Sequence, residues 1–305
     1  MTASVGILTS EQMRSEKGIG SSRIRASWLT RYWPEAELFD LGRNYSAVIF
    51  QKAYWVEYAK RFCGIRILDI CDPDLLHWNS PCKTMADVCD AVTTSTPQLA
   101  NLISQYTETP TFCVPDRVDL EAVDNYRKVH AGRGRARIAA WYGYSMNFQS
   151  LDAAVPGLVQ NDFERLIVVA NGYAPYKLPL KYRGAIQVTN YAWDADSVYG
   201  HLLEADLVVN FQLGFGRWRY KSNNKTILAW AIGLPVAHFT QELEMLRSEQ
   251  SRIEEANRRY VEVRHDYDVR LSVEDYRRLI RGLEGAQTAI QDGKAEVLSG
   301  ASEPM

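Results

Sequence analysis

The chain has 305 residues, of which 46% are hydrophobic and 24% are charged, and its formal net charge is −2. This length predicts about two domains, with enough chain to bury a core without disulfides or metals. The mean hydropathy of −0.28 and the lack of any run of ~18 apolar residues argue against an integral membrane protein. The nearly neutral charge excludes a globally basic nucleic-acid-binding protein.

The cysteines and the first residues indicate a reducing compartment. There are five cysteines, and no C-x-x-C pair occurs among them, so neither a disulfide framework nor a structural zinc site is predicted. The opening residues hold only the short apolar run at 5–8, which is too short for a secretory signal. We therefore expect a cytoplasmic protein without a bound metal.

The first half of the chain alternates strands with helices. Thr96 and Pro97 predict an N-cap followed by proline at the first helical position. The alternation indicates a parallel α/β sheet with right-handed crossovers. Strands are predicted at 5–8, 46–50, 65–70, 91–94 and 111–114, and helices at 22–32, 54–62 and 98–105.

The same alternation restarts near residue 137 and ends in a helical segment. Ser272 to Asp275 resembles a capping box, which predicts a helix start there. Strands are predicted at 137–143, 166–170, 186–189, 207–209 and 235–237. The predicted organisation is an N-terminal domain at 1–118, a basic connection at 119–136, a C-terminal domain at 137–285 and a frayed tail at 286–305.

A glycine-containing loop follows the first strand. Gly18 and Gly20 precede a predicted helix, and a glycine loop before a helix N-terminus can hold an anion. Gly20 and Ser21 are the candidate ligand contacts, and Arg23 and Arg25 add positive charge. A merely flexible loop is the alternative interpretation.

A second candidate anion site follows the strand at 207–209. Cations and short polar side chains meet there at the start of a predicted helix, which is a favourable environment for a diphosphate. A basic surface loop with an asparagine cap is the alternative. The candidate residues are Arg217, Lys221, Ser222, Asn223, Asn224 and Lys225.

Two further groups follow strands. Asp72, Asp74 and His77 come after the strand at 65–70, where a carboxylate or a histidine can act as general base. Turn formation by Asp and Pro is the alternative. Ser145 and Asn147 come after the strand at 137–143 and can donate to a ligand or cap a helix.

Several segments together resemble the two-domain GT-B glycosyltransferases, in the broad family that includes sucrose-synthase-like and bacterial surface-glycan enzymes. The most specific segments are LLEADLVVN and KSNNKTILAWAIGLPVA, which are similar to the donor-binding strand, loop and helix. DAVTTSTPQLANLI, TPTFCVPDRVDL, IAAWYGYSMNFQSL and HDYDVRLSVEDYRRLI also match in order. The resemblance implies two Rossmann-like domains facing a cleft, with a helical C-terminal segment.

The resemblance also implies roles for residues. The second domain would bind a nucleotide sugar, UDP- or GDP-linked, with no tightly bound cofactor or metal. Lys225 and the amides of Asn223 and Asn224 would face the diphosphate, and Arg217 or Lys221 would neutralise the leaving group. Gly20 and Ser21 would approach the transferred sugar.

One position departs from the family pattern. The family often has two glutamates eight residues apart, and here those positions are Tyr220 and Leu228. The second glutamate usually holds the ribose, so ribose recognition must differ in this chain. The oligomeric state and the stereochemistry of transfer stay open.

Three acceptors are compatible with a glycosyltransferase: a surface glycan or lipid-linked sugar, a hydroxymethylated pyrimidine in double-stranded phage-type DNA, or a small molecule. DNA is slightly favoured, in a bacterium or a phage-infected host. The basic stretch at 126–137 supplies Arg133 and Arg135, which join Arg23 and Arg25 as candidate acceptor contacts, and Arg14 and Arg31 could extend them. Aromatic side chains suited to a flipped base are Trp33, Tyr54, Trp55 and Trp78. A non-catalytic nucleotide-sugar-binding module is the alternative of another class.

Overall fold

A computed structural model describes residues 4–14, 20–172 and 174–299. The chain divides into two compact units. Unit 1 contains residues 1–116, 220–222 and 269–305, and unit 2 contains residues 117–219 and 223–268. Gly18 lies outside the described residues, as do the last six residues of the predicted tail. No helix in the described ranges is long and apolar enough to cross a membrane.

Unit 1 is built on a parallel sheet, for which the described residues supply six strands in the order β2-β1-β3-β4-β5-β6. The register pairs Val5 with Ala47 and Ala47 with Ile65 across the three central strands. The central strands β3 and β4 are mostly apolar because helices cover both faces of the sheet, and Asp69 in β4 is a buried exception. The strands are β1 (Val5–Thr9), β2 (Ala36–Leu38), β3 (Ala47–Gln51), β4 (Ile65–Ile70), β5 (Ala91–Thr94) and β6 (Thr111–Cys113).

The helices of unit 1 include those predicted at 54–62 and 98–105. The helices Ser10–Arg14 and Cys82–Val88 were not predicted, and the predicted helix at 22–32 is divided. Thr96 caps α6 as expected, since its hydroxyl accepts from the Leu99 N–H at 3.1 Å. A π-helical stretch at Arg23–Ser27 joins α2 to α3, and short 3₁₀ turns occur elsewhere. The α-helices are α1 (Ser10–Arg14), α2 (Gly20–Ser22), α3 (Trp28–Tyr32), α4 (Val56–Arg61), α5 (Cys82–Val88), α6 (Pro97–Ile103) and α13 (Val269–Ser299).

Helix α13 differs from its sequence interpretation in two respects. It begins at Val269, so Ser272 lies within its first turns and is not a cap. Ser272 is buried, and its hydroxyl donates to the Pro115 carbonyl at 3.5 Å. The helix also packs in unit 1, through buried Val273, Tyr276 and Ile280, whereas the predicted C-terminal domain at 137–285 includes its first half.

Unit 2 contains a second parallel sheet, for which the described residues supply five strands in the order β11-β10-β7-β8-β9. The register pairs Ile138 with Arg165 and Leu207 with Ala139 on the two sides of β7. The strands are β7 (Ile138–Tyr144), β8 (Arg165–Asn171), β9 (Gln187–Ala192), β10 (Leu207–Val209) and β11 (Val236–Ala237). The helices are α7 (Leu120–Val123), α8 (Phe148–Gln160), α9 (Val198–Leu203), α10 (Asn224–Ala231), α11 (Thr240–Leu246) and α12 (Glu249–Asp266).

A buried ionic network joins distant parts of unit 1. Asp69, with 0% exposure, receives two hydrogen bonds from Arg25, at 2.7 and 2.6 Å. The Thr93 hydroxyl and the Tyr276 hydroxyl also donate to Asp69, at 2.7 and 2.8 Å. Arg25 further donates to Asp116 at 2.7 Å. Burying these charges is tolerable because each has several polar partners.

We expect the substitution Asp69→Asn to lower the free energy of unfolding by about 3–5 kcal/mol, because it leaves the buried Arg25 guanidinium without its bidentate partner. Urea unfolding of the full chain measures this. Lys83→Met is the matched control, since the Lys83–Asp87 pair is 53% and 41% exposed and such pairs contribute less than about 1 kcal/mol. Equal losses in the two variants would contradict a structural role for the Asp69 network.

Candidate active site

The topology of unit 2 defines where a ligand can bind. The chain runs from β7 to β8 and β9 on one side, then returns to β10 and β11 on the other. In open parallel sheets, ligands bind beyond the carboxyl ends of the strands at such a reversal. The crevice therefore lies at the ends of β7 and β10.

The turn after β7 places two predicted donor contacts at this position. Ser145 and Asn147 bound a 3₁₀ turn that leads into α8, and both side chains are half-buried. Asn147 makes no side-chain cap bond to α8. Gly172 follows the adjacent β8 with a φ of 134°, and a Cβ there would lie 2.0 Å from the Ser145 hydroxyl oxygen. Glycine at this position therefore makes room for Ser145.

The N-terminus of α10 approaches the same strand ends. Lys225 lies in its first turn, with its ammonium 5.0 Å from the centre of the buried Trp141 ring on β7. The Tyr142 hydroxyl donates to the Lys225 carbonyl, which ties the helix start to β7. Asn223 is the N-cap residue of α10, directly before Asn224, and its side chain makes no capping hydrogen bond. These contacts bring Asn223, Asn224 and Lys225 to the strand ends that also carry Ser145.

The rest of the predicted diphosphate site is arranged differently. Arg217 is exposed, and its guanidinium lies 5.4 Å from the Trp218 ring. Lys221 and Ser222 belong to unit 1, where Lys221 pairs with Asp72 and the Ser222 hydroxyl donates to Asp116 at 2.6 Å. Residues 217–225, predicted to form one continuous anion site, are therefore divided between the two units.

A charged cluster occupies the carboxyl ends of β3 and β4 in unit 1. The Lys52 ammonium lies 2.8 Å from Asp72 and 3.5 Å from Asp74. The Tyr54 hydroxyl donates to Asp74 at 2.5 Å. Lys52 adopts a left-handed backbone with φ of 50°, a conformation that costs free energy in a non-glycine residue.

The cluster makes Asp72 a poor general base. Burial would raise its pKa, but the Lys52 and Lys221 ammonium groups outweigh burial and hold the pKa of Asp72 well below its usual range. The pKa of Lys52 is raised in turn: burial would lower it, and the negative charges of the Asp72 and Asp74 carboxylates prevail. Of the three predicted catalytic residues, His77 alone has an exposed side chain without an ion pair or hydrogen bond among the described residues.

The lowered pKa of Asp72 predicts a specific dependence of stability on pH. The ionised form stabilises the folded state at pH values above the unfolded pKa of about 3.9. This contribution is lost as the pH falls towards the folded pKa. The difference in unfolding free energy between wild type and Asp72→Asn should therefore be largest near neutral pH and shrink below about pH 4. Urea unfolding at several pH values checks this, and Asp40→Asn, at an exposed ion pair, is the control.

The glycine loop of unit 1 contributes less than expected to an exposed anion site. Gly20 and Ser21 are half-buried in α2. Arg23 lies with its guanidinium 5.4 Å from the Trp28 ring. Arg25 is 3% exposed and engaged with Asp69 and Asp116, so its role is structural and it offers no surface to an acceptor.

The basic stretch of unit 2 lies at the opposite edge of its sheet from the crevice. Arg133 is 3.4 Å from Asp206, which precedes β10, and Arg135 is 3.8 Å from Asp162, which precedes β8. Asp206 also accepts from the backbone N–H of Arg137 and Ile138 at the start of β7. Both predicted acceptor contacts therefore lie at the amino ends of the strands and are paired with acids.

The four aromatic residues considered for base stacking separate into two groups. Trp33 is buried, the half-buried Trp55 stacks on Tyr58 with ring centres 4.8 Å apart, and the half-buried Tyr54 is engaged with Asp74. Trp78 is 92% exposed on the loop after β4. Burial thus leaves Trp78 as the accessible stacking surface of the four.

Several polar residues at the strand ends were not among the predicted site residues. Lys52 follows β3, Asn210 follows β10 and His238 follows β11. Their position directly after apolar strands was the available signal. Among the residues the structure describes, no three His, Cys, Asp or Glu side chains are grouped to hold a metal ion.

Comparison with known proteins identifies the fold. No protein-family profile matches the sequence, and no curated protein matches it significantly. Anabaena HepE, solved with UDP and glucose, matches with a TM-score of 0.65 at 11% identity, over 91% of this chain and 99% of HepE. An alpha-glucosyltransferase in complex with UDP-glucose and DNA containing an abasic site matches with a TM-score of 0.61 at 11% identity, over 91% and 98%.

A third similar structure is AviGT4, a glycosyltransferase involved in avilamycin A biosynthesis, with a TM-score of 0.55 at 11% identity, over 92% of this chain and 98% of AviGT4. These structures have the GT-B fold. The expectation of a GT-B fold with two parallel-sheet α/β domains is therefore confirmed.

Proposed function

We propose that this protein is a glycosyltransferase that moves a sugar from a nucleotide-sugar donor to a hydroxyl acceptor. The observation that carries the proposal is the grouping at the carboxyl ends of β7 and β10. Ser145, Asn147 and the N-terminal turn of α10 with Lys225 are gathered there. Hydroxyl, amide and ammonium donors beside a helix N-terminus suit a diphosphate.

This grouping supports catalysis by stabilising the diphosphate leaving group. As the bond between sugar and phosphate breaks, negative charge grows on the diphosphate. Backbone N–H groups of α10 and the Lys225 ammonium are already oriented before the reaction, so they stabilise that charge without reorganising. The similar structures that contain UDP or UDP-glucose support a UDP-linked donor, with a GDP-linked donor as the second choice.

Ribose recognition needs a group other than the family glutamate. Leu228 occupies that position in α10 and is 8% exposed within the apolar side of the helix. An apolar side chain cannot accept hydrogen bonds from ribose hydroxyls. A non-catalytic binding module would share this feature, and slow release of sugar from the donor without acceptor distinguishes an enzyme from it.

We expect the substitution Lys225→Met to slow sugar transfer by about 10- to 150-fold, because charge-assisted hydrogen bonds contribute roughly 1.5–3 kcal/mol. Methionine keeps an unbranched stem against Trp141, so the fold should be retained. Initial rates with UDP-glucose, and donor hydrolysis where no acceptor is known, measure the effect.

Arg137→Met is the matched control for this experiment. Arg137 lies in the same unit but at the amino-terminal edge of the sheet, where it is 66% exposed and paired with Glu164. Its substitution should leave the rate unchanged. An unchanged rate in Lys225→Met would remove Lys225 from the donor site.

For the acceptor, we propose a hydroxymethylated pyrimidine in DNA. The similar structure with bound DNA supports it, and so does Trp78, which stands exposed beside His77 on the loop after β4. A tryptophan in this position can stack on an extruded base, and His77 can accept the proton from the hydroxymethyl group of that base. Arg25, Arg133 and Arg135 do not support this proposal, because they are buried or paired with acids.

Trp78→Ala should weaken binding to duplex DNA with hydroxymethylated bases by about 5- to 150-fold, since base stacking contributes roughly 1–3 kcal/mol. Tyr106→Ala, at another exposed aromatic residue of unit 1, and Arg133→Ala with Arg135→Ala should leave affinity and its salt dependence unchanged. Electrophoretic shifts at several salt concentrations measure these effects. Transfer to a lipid-linked sugar without any DNA binding would replace the DNA acceptor by a surface glycan and leave the glycosyltransferase proposal intact.

A further inference from the structure

Four polar side chains of unit 2 form a continuous hydrogen-bonded chain behind the N-terminus of α10. The Asn210 carboxamide nitrogen lies 3.0 Å from the Thr226 hydroxyl, and that hydroxyl lies 3.1 Å from His238 Nε2. His238 Nδ1 lies 3.3 Å from the Glu242 carboxylate, which also accepts from the His238 backbone N–H at 2.6 Å. The chain connects the ends of β10 and β11 with α10 and α11.

The direction of each hydrogen bond follows from Glu242. A carboxylate only accepts, so His238 carries a proton on Nδ1, and in the singly protonated form of the ring Nε2 is an acceptor. Thr226 must therefore donate its hydroxyl proton to Nε2 and accept from Asn210. This determines the orientation of the Asn210 carboxamide: its nitrogen faces Thr226, and its oxygen, Oδ1, is turned away from the chain.

Asn210 Oδ1 is the open end of the chain. Asn210 comes directly after β10, at the crevice, and its backbone N–H is used by the Ala237 carbonyl at 2.9 Å. Within the described residues, no hydrogen bond uses Oδ1. Thr226 is 1% exposed, so the side chain that orients Asn210 is shielded from competing water.

We infer that Asn210 is a donor-binding residue whose Oδ1 accepts a hydrogen bond from a hydroxyl group of the nucleotide sugar, and that Thr226, His238 and Glu242 are positioning residues that orient it. The inference rests on the proposed function. Ribose and the transferred sugar both offer such hydroxyls. A hydrogen-bond-accepting oxygen at this position would bind a hydroxyl of the donor, which the apolar Leu228 side chain cannot do.

The test compares nucleotide binding by calorimetry in variants of Thr226. Thr226→Val is nearly isosteric but lacks the hydroxyl, so Asn210 loses its orientation, and the Kd for UDP-glucose should rise about tenfold or more. Thr226→Ser keeps the hydroxyl and should bind within about threefold of wild type. The second variant Glu242→Ala, at the more exposed end of the chain, should weaken binding in the same direction if Thr226→Val does not fold.

His130→Gln is the matched control. His130 is buried in the same unit, and its Nε2 lies 2.9 Å from the Gly233 carbonyl just beyond the other end of α10. Its substitution should lower the free energy of unfolding without changing the Kd. Equal weakening of nucleotide binding in His130→Gln and Thr226→Val would show that the chain acts only through stability and would overturn the inference.

Comparing nucleotides with nucleotide sugars locates the hydroxyl. If Asn210 contacts ribose, Asn210→Ala should weaken the binding of UDP and the binding of UDP-glucose equally. If Asn210 contacts the transferred sugar, only the binding of UDP-glucose should weaken. Undiminished binding of both ligands by Asn210→Ala would overturn the inference and leave the proposed function intact. If wild type binds neither these two nor GDP and GDP-mannose, the proposed function is overturned, and the inference with it.

Discussion

The direction of the strands is the constraint on which the candidate site depends. Every strand pair in both sheets is parallel, so all carboxyl ends of one sheet meet at one edge. In unit 2 that edge collects Ser145, Asn210 and the start of α10, while Arg133 and Arg135 fall at the other edge. Strand direction, and not the local density of positive charge, therefore separates a candidate ligand site from a paired basic surface.

Unit 1 shows how burial decides what charged residues can do. Asp69 and Arg25 are buried, and they are stabilised because Thr93, Tyr276 and Asp116 complete their hydrogen bonds. The carboxylates of Asp72 and Asp74 lie at the strand ends, where a general base would be useful. Two lysines form ion pairs with Asp72, however, and the Tyr54 hydroxyl donates to Asp74. A carboxylate held ionised by two ammonium groups has little tendency to take a proton. His77 is left as the titratable group on that loop with an accessible side chain.

Helix α10 is held at both ends. Thr226 and His238 fix its first turn, and His130 and Lys128 contact the backbone around its end, where the Lys128 N–H donates to the Ile232 carbonyl at 2.8 Å. Burial lowers the pKa of Lys128 to about 8, and the nearby Arg133 adds to this effect. The contacts at the first turn hold the N-terminal N–H groups in one position, which is the condition for electrostatic preorganisation. The contacts at the other end of the helix, including that of His130, stabilise the fold.

The sequence by itself determined the positions of most strands, the parallel α/β class and the Thr96 cap, because apolar periodicity and capping act over a few neighbouring residues. It also placed Lys225 and Ser145 after the correct strands. It did not indicate that Ser272 lies inside a helix, since burial against Pro115 overrides its capping tendency. Only the tertiary structure paired Lys52 with Asp72 and joined Asn210 to His238, because those contacts bring together residues from different strands and helices. Whether a polar side chain is buried, paired or accessible depends on such distant neighbours.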